Sequence, residues 1–452
     1  MGSHVDLNGL LQTDRGMISR DVFVNRDLYQ EELEKLFSRA WLLVGHESLI
    51  PNPGDFYLSR MGEESVVLCR DGKEKIHVFL NSCRHRGMKI CRYEQGNTNQ
   101  FVCPYHSWSY NTDGKLNGVP HYRTLYEGVV DKDDWSLIEV PRLGVYKGTV
   151  WASWDASAPD LVEYFGGMRE HLDQALDCRD GREGGSEVIG VQKWVIPTNW
   201  KIAAAEFLGD TYHNPSHRSV DMIGIGPSAA AGKKGRRDDE SAKAQHIWVS
   251  FPQGHGTHST VQPEENEYVE AFLDNPSVEA YFRECHEARK RRLGDQSRLI
   301  SLVGTIFPNM SYLGRQPRGL SIWHPHGPTT TEAWRFFLVD KDAPAEVKDV
   351  LRRYYMRYSG PAGMTEQDDM ENWLYATEAS SGTIARRYPL NYQQSLNTAP
   401  KLGPDFSQTS LQMSEHSARR FFSRWQDYLQ GASWDQLVGA NDKAASEMVA
   451  AK

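Results

Sequence analysis

Two short cysteine–histidine pairs stand at Cys83-Arg84-His85 and, after seventeen intervening residues, at Cys103-Pro104-Tyr105-His106. Each pair sets a soft thiolate beside an imidazole. A Rieske-type [2Fe–2S] cluster requires two cysteines on one iron and two histidines on the other. Structural zinc also accepts a Cys₂His₂ set, but its spacing usually groups cysteine with cysteine and histidine with histidine. One of each per loop therefore favours the cluster. The second pair continues as Ser107-Trp108 and Asn111-Thr112-Asp113-Gly114, a turn-rich stretch suited to a cluster-holding loop.

A second group with metal chemistry lies in residues 197–217. Thr198 or Asn199 can cap a helix start, and the alanine run at 203–205 favours helix. On such a helix Asp210 and His213 are three apart and share a face. His217 would continue that face, although Pro215 should kink or end the helix first. Taken alone, the two imidazoles bind iron, zinc or nothing. Beside a one-electron carrier they need one carboxylate to complete the 2-His-1-carboxylate triad of non-haem Fe(II) oxygenases. The acidic run Glu366-Gln367-Asp368-Asp369-Met370-Glu371, boxed between Met364 and Trp373, offers candidates.

The elements that must position these groups can be read coarsely. Residues 28–43 repeat apolar groups at helical spacing. From Gly54 to about Trp154 the runs are short and alternating, as in an antiparallel sheet, and both cysteine–histidine loops fall inside this stretch. Residues 158–178 return to helix texture. Beyond Glu187, strands are expected at 299–313, 319–323 and 334–339, with a turn at 315–318, and helices at 345–358 and 414–428. The expected architecture is α+β, an antiparallel β domain (41–156) inserted in a larger α+β domain. The latter comprises an N-terminal helical part (1–40) and residues 157–452, an antiparallel sheet flanked by helices.

Composition narrows the function class. A net charge of −9 argues against a nucleic-acid partner. The basic run Lys233-Lys234-Gly235-Arg236-Arg237 is followed at once by Asp238-Asp239-Glu240 and reads as a self-neutralising loop. No stretch approaches eighteen apolar residues and no apolar leader is visible, so a cytoplasmic protein is expected. Cys69, Cys91, Cys178 and Cys285 lack framework spacing and read as small buried hydrophobes.

Together these residues resemble the α subunit of Rieske non-haem iron aromatic ring-hydroxylating dioxygenases, closest to the biphenyl, benzene and phenylpropionate branch. The resemblance covers roughly residues 19–434 and includes Asn199-Trp200-Lys201, Gly209-Asp210-Thr211-Tyr212-His213, Ile306-Phe307-Pro308-Asn309, Trp323-His324-Pro325 and Gly360-Pro361-Ala362-Gly363. It implies that Cys83, His85, Cys103 and His106 hold the cluster and that His213, His217 and Asp369 hold a mononuclear iron. Asp369 is preferred to Asp368 because the family's ligand lies four residues before the tryptophan matched by Trp373. Asp210 would bond across a subunit boundary to a cluster histidine and to an iron histidine. Glu206, Phe207, His255, Phe307, Asn309 and Trp323 would wall the substrate pocket.

Two features depart from the pattern. The His213–His217 interval is one residue shorter than in several hydrocarbon dioxygenases, and Glu206 stands where those relatives often place an amide. The implied activity is cis-dihydroxylation of an aromatic ring with O₂ as co-substrate. Electrons would come from NADH through a reductase, usually with a ferredoxin, because no nucleotide-binding glycine fingerprint follows a strand here. The implied assembly is a trimer of α subunits with small β subunits, α3β3. A monooxygenase or demethylase acting on an aromatic acid remains an alternative, as does a plain electron-transfer Rieske protein. Arg315 and Arg318 could hold a substrate carboxylate, but their turn suggests solvent exposure.

Overall fold

The computed structural model describes residues 7, 9–178, 185–223, 245–263 and 275–438. The charge run at 233–240 and the Cys178 side chain lie outside the described residues. Two compact units result: Phe37–Ala158, and Met1–Leu36 together with Pro159–Lys452. Among the described residues no helix is long and apolar enough to cross a membrane.

The smaller unit is built of short antiparallel strands. One sheet runs Ile76–Leu80, Glu64–Arg70, Asp55–Met61 and Gln95–Asn97. A second runs Arg142–Tyr146, Thr149–Ser153 and Leu42–His46, and a third Leu116–Gly118, Ser109–Asn111 and Gln100–Val102. Alternation along these strands turns one face inward. A core that includes Val67, Phe79, Phe101, Trp108 and Tyr110 packs directly against Cys83 and Cys103. The apolar periodicity of 28–43 is only partly helical. A helix spans Arg26–Glu32, loosens to one wider turn at Leu33–Phe37, and gives way to the strand Leu42–His46, whose five residues are all buried. A continuous apolar run buried on both faces reads alike as helix or strand.

The larger unit is organised on an antiparallel sheet of nine strands among the described residues. Its order is Ser186–Ile196, Thr331–Asp340, Gly319–Pro325, Met310–Leu313, Leu299–Ile306, Gly256–Val261, Gln245–Ser250, Gln408–Ser410 and Lys401–Leu402. The expected strand at 299–313 is a hairpin, turned at Phe307-Pro308-Asn309 so that Ile306 pairs with Met310. The helices Ala345–Tyr358 and His416–Leu429 fall where periodicity placed them. The helical stretch at 158–178 is broken by Gly166-Gly167 into Leu161–Phe165 and Met168–Asp173. Arg315 is exposed, whereas Arg318 is wholly buried and its guanidinium meets Asp340 at 2.9 Å. Arg318 is therefore a structural ion pair, and the solvent exposure expected of its turn does not hold for it.

Candidate metal centres

In the smaller unit the two cysteine–histidine loops adopt one backbone plan. Cys83 N–H donates to Met88 O at 2.8 Å and Gly87 N–H to Cys83 O at 2.9 Å; Cys103 N–H donates to Trp108 O at 2.8 Å and Ser107 N–H to Cys103 O at 2.9 Å. Each loop turns on a left-handed residue four positions after its cysteine, Gly87 at φ 73° and Ser107 at φ 59°. The two thiols are paired and buried, and the His85 and His106 rings lie 4.5 Å apart. Burial pushes the Cys103 thiol upward, while Tyr105 and His106 N–H groups aimed at its sulfur pull the other way. Tyr110 Oη lies 3.3 Å from Cys83 Sγ. Buried His85 Nδ1 has no hydrogen-bond partner, and its ring is stacked on Trp108 at 4.9 Å. Two soft sulfurs, that of Cys103 backed by N–H donors and that of Cys83 beside the Tyr110 hydroxyl, together with two adjacent imidazoles of which His85 keeps a bare nitrogen, fit a Rieske cluster.

The second centre is made by the end of one helix and the start of another. Asn199 caps the first, accepting Lys201 N–H at 3.0 Å, and Ala203 and Ala204 bury its inner face. This helix, Trp200–Glu206, stops earlier than the alanine run suggests. Gly209 turns the chain at φ 111°, where an added Cβ would stand 2.6 Å from His258 Cβ. Asp210 and His213 therefore lie on a turn and not on one helical face, and His217 ends the 3₁₀ turn Asn214–His217, which begins one residue before Pro215. That tighter turn resolves the short interval between the histidines. Their Nε2 atoms come to 3.1 Å from each other.

The second helix, Glu366–Ser380, is anchored at its first turn. Glu366 accepts Gly360 N–H and pairs with Arg335, both groups being buried. Three carboxylates in that turn also favour the helix N-terminus. Asp369 Oδ1 then reaches His217 Nε2 at 3.0 Å and His213 Nε2 at 3.5 Å. Asp368 is displaced to the rear, where its Oδ2 accepts from His217 Nδ1 at 3.2 Å and so orients the ring. One turn beyond Asp369, Trp373 Nε1 donates to Glu206 Oε2 at 2.5 Å.

His213, His217 and Asp369 are the only group of three His, Cys, Asp or Glu among the described residues whose ligand atoms gather within 4.8 Å. The site's electrostatics call for a cation. Burial disfavours charge on His213, yet Glu206, Asp210 and Asp369 outweigh it and raise the imidazole to about 10. Burial, then the Asp369 charge, hold Glu206 well above the ordinary carboxylate range. Two imidazoles and one carboxylate on one side fit a facial triad with open positions. Asp210 Oδ1 stands 3.9 Å from His213 Nδ1, its side chain half exposed, and accepts Tyr212 N–H at 2.9 Å.

A cleft of about 400 Å³ opens on this centre, bordered by Ile202, Glu206, His213, Asn372, Trp373 and Ala376 among others. Of the pocket residues expected from the sequence, Glu206 is on its wall. Phe207 and Trp323 pack behind it, their rings 5.5 Å apart, with Trp323 edge-on to Trp373. Asn309 Nδ2 donates to Trp323 O at 3.2 Å. His255 and Phe307 are wholly buried and do not border this cleft. His255 Nδ1 accepts Phe307 N–H at 2.9 Å, and its Nε2 donates to Tyr164 O at 2.8 Å, so both nitrogens serve the fold. Sequence reasoning missed the Trp373–Glu206 bond and the rear role of Asp368. The spacing of Asp369 and Trp373, four apart on a helix, was the signal for the first.

Comparison with known proteins agrees with this geometry. Residues 40–132 match the Rieske [2Fe-2S] domain, and residues 167–431 match the ring hydroxylating alpha subunit (catalytic domain). The chain is 37% identical to the biphenyl dioxygenase subunit alpha of Paraburkholderia xenovorans (strain LB400), over 95% of each chain. It is 36% identical to the benzene 1,2-dioxygenase subunit alpha of Pseudomonas putida, over 96% of this chain and 95% of the relative. The solved naphthalene 1,2-dioxygenase from Rhodococcus sp., bound to indole, superposes with a TM-score of 0.79 at 32% identity, over 92% of this chain and 95% of the other. Two cysteine–histidine loops in a β unit, a two-histidine, one-carboxylate centre between a turn and a helix, and these relatives lead to one conclusion. The chain belongs to the Rieske non-haem iron ring-hydroxylating dioxygenases, as an α subunit.

Proposed function

We propose that Cys83, His85, Cys103 and His106 carry the Rieske cluster, that His213, His217 and Asp369 carry the mononuclear iron, and that the adjoining cleft binds the aromatic substrate for cis-dihydroxylation. The observation that carries this reading is the convergence of three ligand atoms within 4.8 Å at a centre on which the cleft opens. When bound, the iron supplies open coordination positions for O₂ and the cluster supplies single electrons. The balanced reaction adds O₂, two electrons and two protons to an arene, the electrons originating in NADH and arriving through a reductase and ferredoxin.

The chain's own residues prepare that reaction. Asp368 fixes the His217 ring through Nδ1 and leaves Nε2 for the metal. Ile202, Ala376 and the Trp373 ring give the arene apolar surface and exclude water from beside the iron ligands. Asp210 lies against the rear of His213 with a half-exposed carboxylate. We infer that it receives a cluster histidine of a neighbouring α subunit, in a ring of three α subunits accompanied by β subunits. A head-to-tail interface that closes by rotation generates such a ring.

Turnover of biphenyl or benzene under ¹⁸O₂ tests the reading. Two labelled atoms on adjacent ring carbons are expected. A product bearing one labelled atom, or demethylation of a methoxyarene in preference to ring attack, would replace the dioxygenase with a monooxygenase.

A further inference from the structure

Glu206 places a carboxylate on the wall of the cleft, which Ile202, Trp373 and Ala376 also line, on the side of the iron ligand His213. Its two oxygens differ. Oε2 is occupied by the Trp373 indole N–H at 2.5 Å, which fixes the rotamer. Oε1 has no donor within hydrogen-bond distance among the described residues. His213 Nε2 stands 3.7 Å away, and that nitrogen faces the metal triad. The side chain keeps 13% of its exposure, so Oε1 remains open to the cleft.

A pure hydrocarbon seated here would strip water from Oε1 and return no donor. A buried acceptor left unsatisfied costs more than a hydrogen bond gains. We propose that Glu206 is the specificity-determining residue of the cleft, and that its substrate is an arene carrying an N–H or O–H donor on or beside the ring, bonded to Oε1. The proposal rests on the reading of this cleft as the substrate site. Leaving Oε1 without a donor should cost an isostere that lacks one roughly 10- to 100-fold in affinity.

The test uses the holoenzyme with both iron centres filled and two matched compounds, 2-aminobiphenyl and 2-methylbiphenyl. Dissociation constants come from calorimetry in the absence of O₂, and products from turnover under ¹⁸O₂. The amino compound should bind at least about tenfold more tightly. Glu206→Leu should abolish that preference, and so should Glu206→Gln, whose amide carbonyl is taken by Trp373 and whose NH₂ then faces the cleft. Both variants should retain their iron.

Equal dissociation constants in the unmutated enzyme, or no measurable affinity for either compound, overturn the assignment. Loss of mononuclear iron from Glu206→Gln also overturns it, because the carboxylate would then serve the metal. Absence of doubly labelled product from both compounds is a failure of the functional reading itself. Doubly labelled products from both with equal affinities remove only the role of Glu206.

Discussion

Glu32 and Lys201 form an ion pair that is almost completely buried, with side-chain exposures of 1% and 1%. Trp200 Nε1 donates to Glu32 Oε2 at 2.8 Å and Trp425 Nε1 to Oε1 at 2.8 Å, so the carboxylate ties together three elements of the larger unit. Lys201 belongs to the helix that ends at Glu206, and the pair therefore anchors the element leading into the iron site. Burial draws the Lys201 ammonium below its ordinary range, and the Glu32 charge restores part of the difference. Glu32→Gln keeps the shape but leaves that ammonium without its counter-charge. Removing one partner of a buried pair costs about 3–5 kcal/mol. For a unit of roughly 300 residues, an unfolding entropy near 2.1 cal/mol/K per residue converts this into roughly 5–8 °C of Tm.

Lys201→Met should cost a similar amount, because it leaves the carboxylate with two indole donors and no cation. The double variant should recover most of the loss, giving a coupling energy of at least about 2 kcal/mol. Scanning calorimetry measures all four proteins, with the visible absorption of the cluster followed alongside as a report on the other unit. Glu32→Gln within about 1 kcal/mol of the parent, or a double variant equal to the sum of the singles, would refute the anchoring role.

Three further outcomes are expected. Asp369→Ala should abolish mononuclear iron binding, whereas Asp368→Asn should weaken it by roughly 10- to 100-fold, since only the support of the His217 ring is lost; metal titration followed by elemental analysis distinguishes them, and the reverse order would exchange their roles. Gly209→Ala should destabilise the turn before Asp210 by more than about 1 kcal/mol and raise KM and lower kcat together, because a side chain at φ 111° meets both His258 and Trp248; a variant with unchanged Tm and kinetics contradicts this. Burial lowers His171 and His255 to about 4 each, with His416 similarly at about 4. As pH falls from about 6.5 toward 4 the unfolded chain binds protons that the folded chain refuses, so stability falls, by up to about 2 kcal/mol per histidine at pH 5. His171→Gln should flatten that slope in equilibrium unfolding measured from pH 7 to 5, and a slope identical to the parent's would sink the attribution.

The cluster loops were legible because chemistry fixes them. One thiolate and one imidazole per loop, with a turn-forming residue after each pair, leave few other uses for such text. The iron centre was legible in composition but not in conformation. Periodicity extended a helix through Asp210 and His213, whereas the left-handed Gly209 ends it and the 3₁₀ turn at Asn214–His217 brings the histidines together. Tertiary packing decided this, since Gly209 lies against His258 and Trp248 from distant strands. Arg318 was misread for a related reason. A turn residue suggests solvent, but its partner Asp340 lies at the end of the adjoining strand and carries no local signal. His255 and Phe307 were expected at the pocket, yet the mutual bonding of their side chain and backbone could be seen only once two separate strand ends met.

Iron content measured beside the Rieske signal reaches the central claim most directly. The account predicts about three irons per chain, two of them giving the Rieske absorption and EPR spectrum, and about two per chain in His213→Ala with that spectrum unchanged. Stoichiometric zinc with no Rieske spectrum, or a His213→Ala protein that keeps its full iron complement, would contradict it.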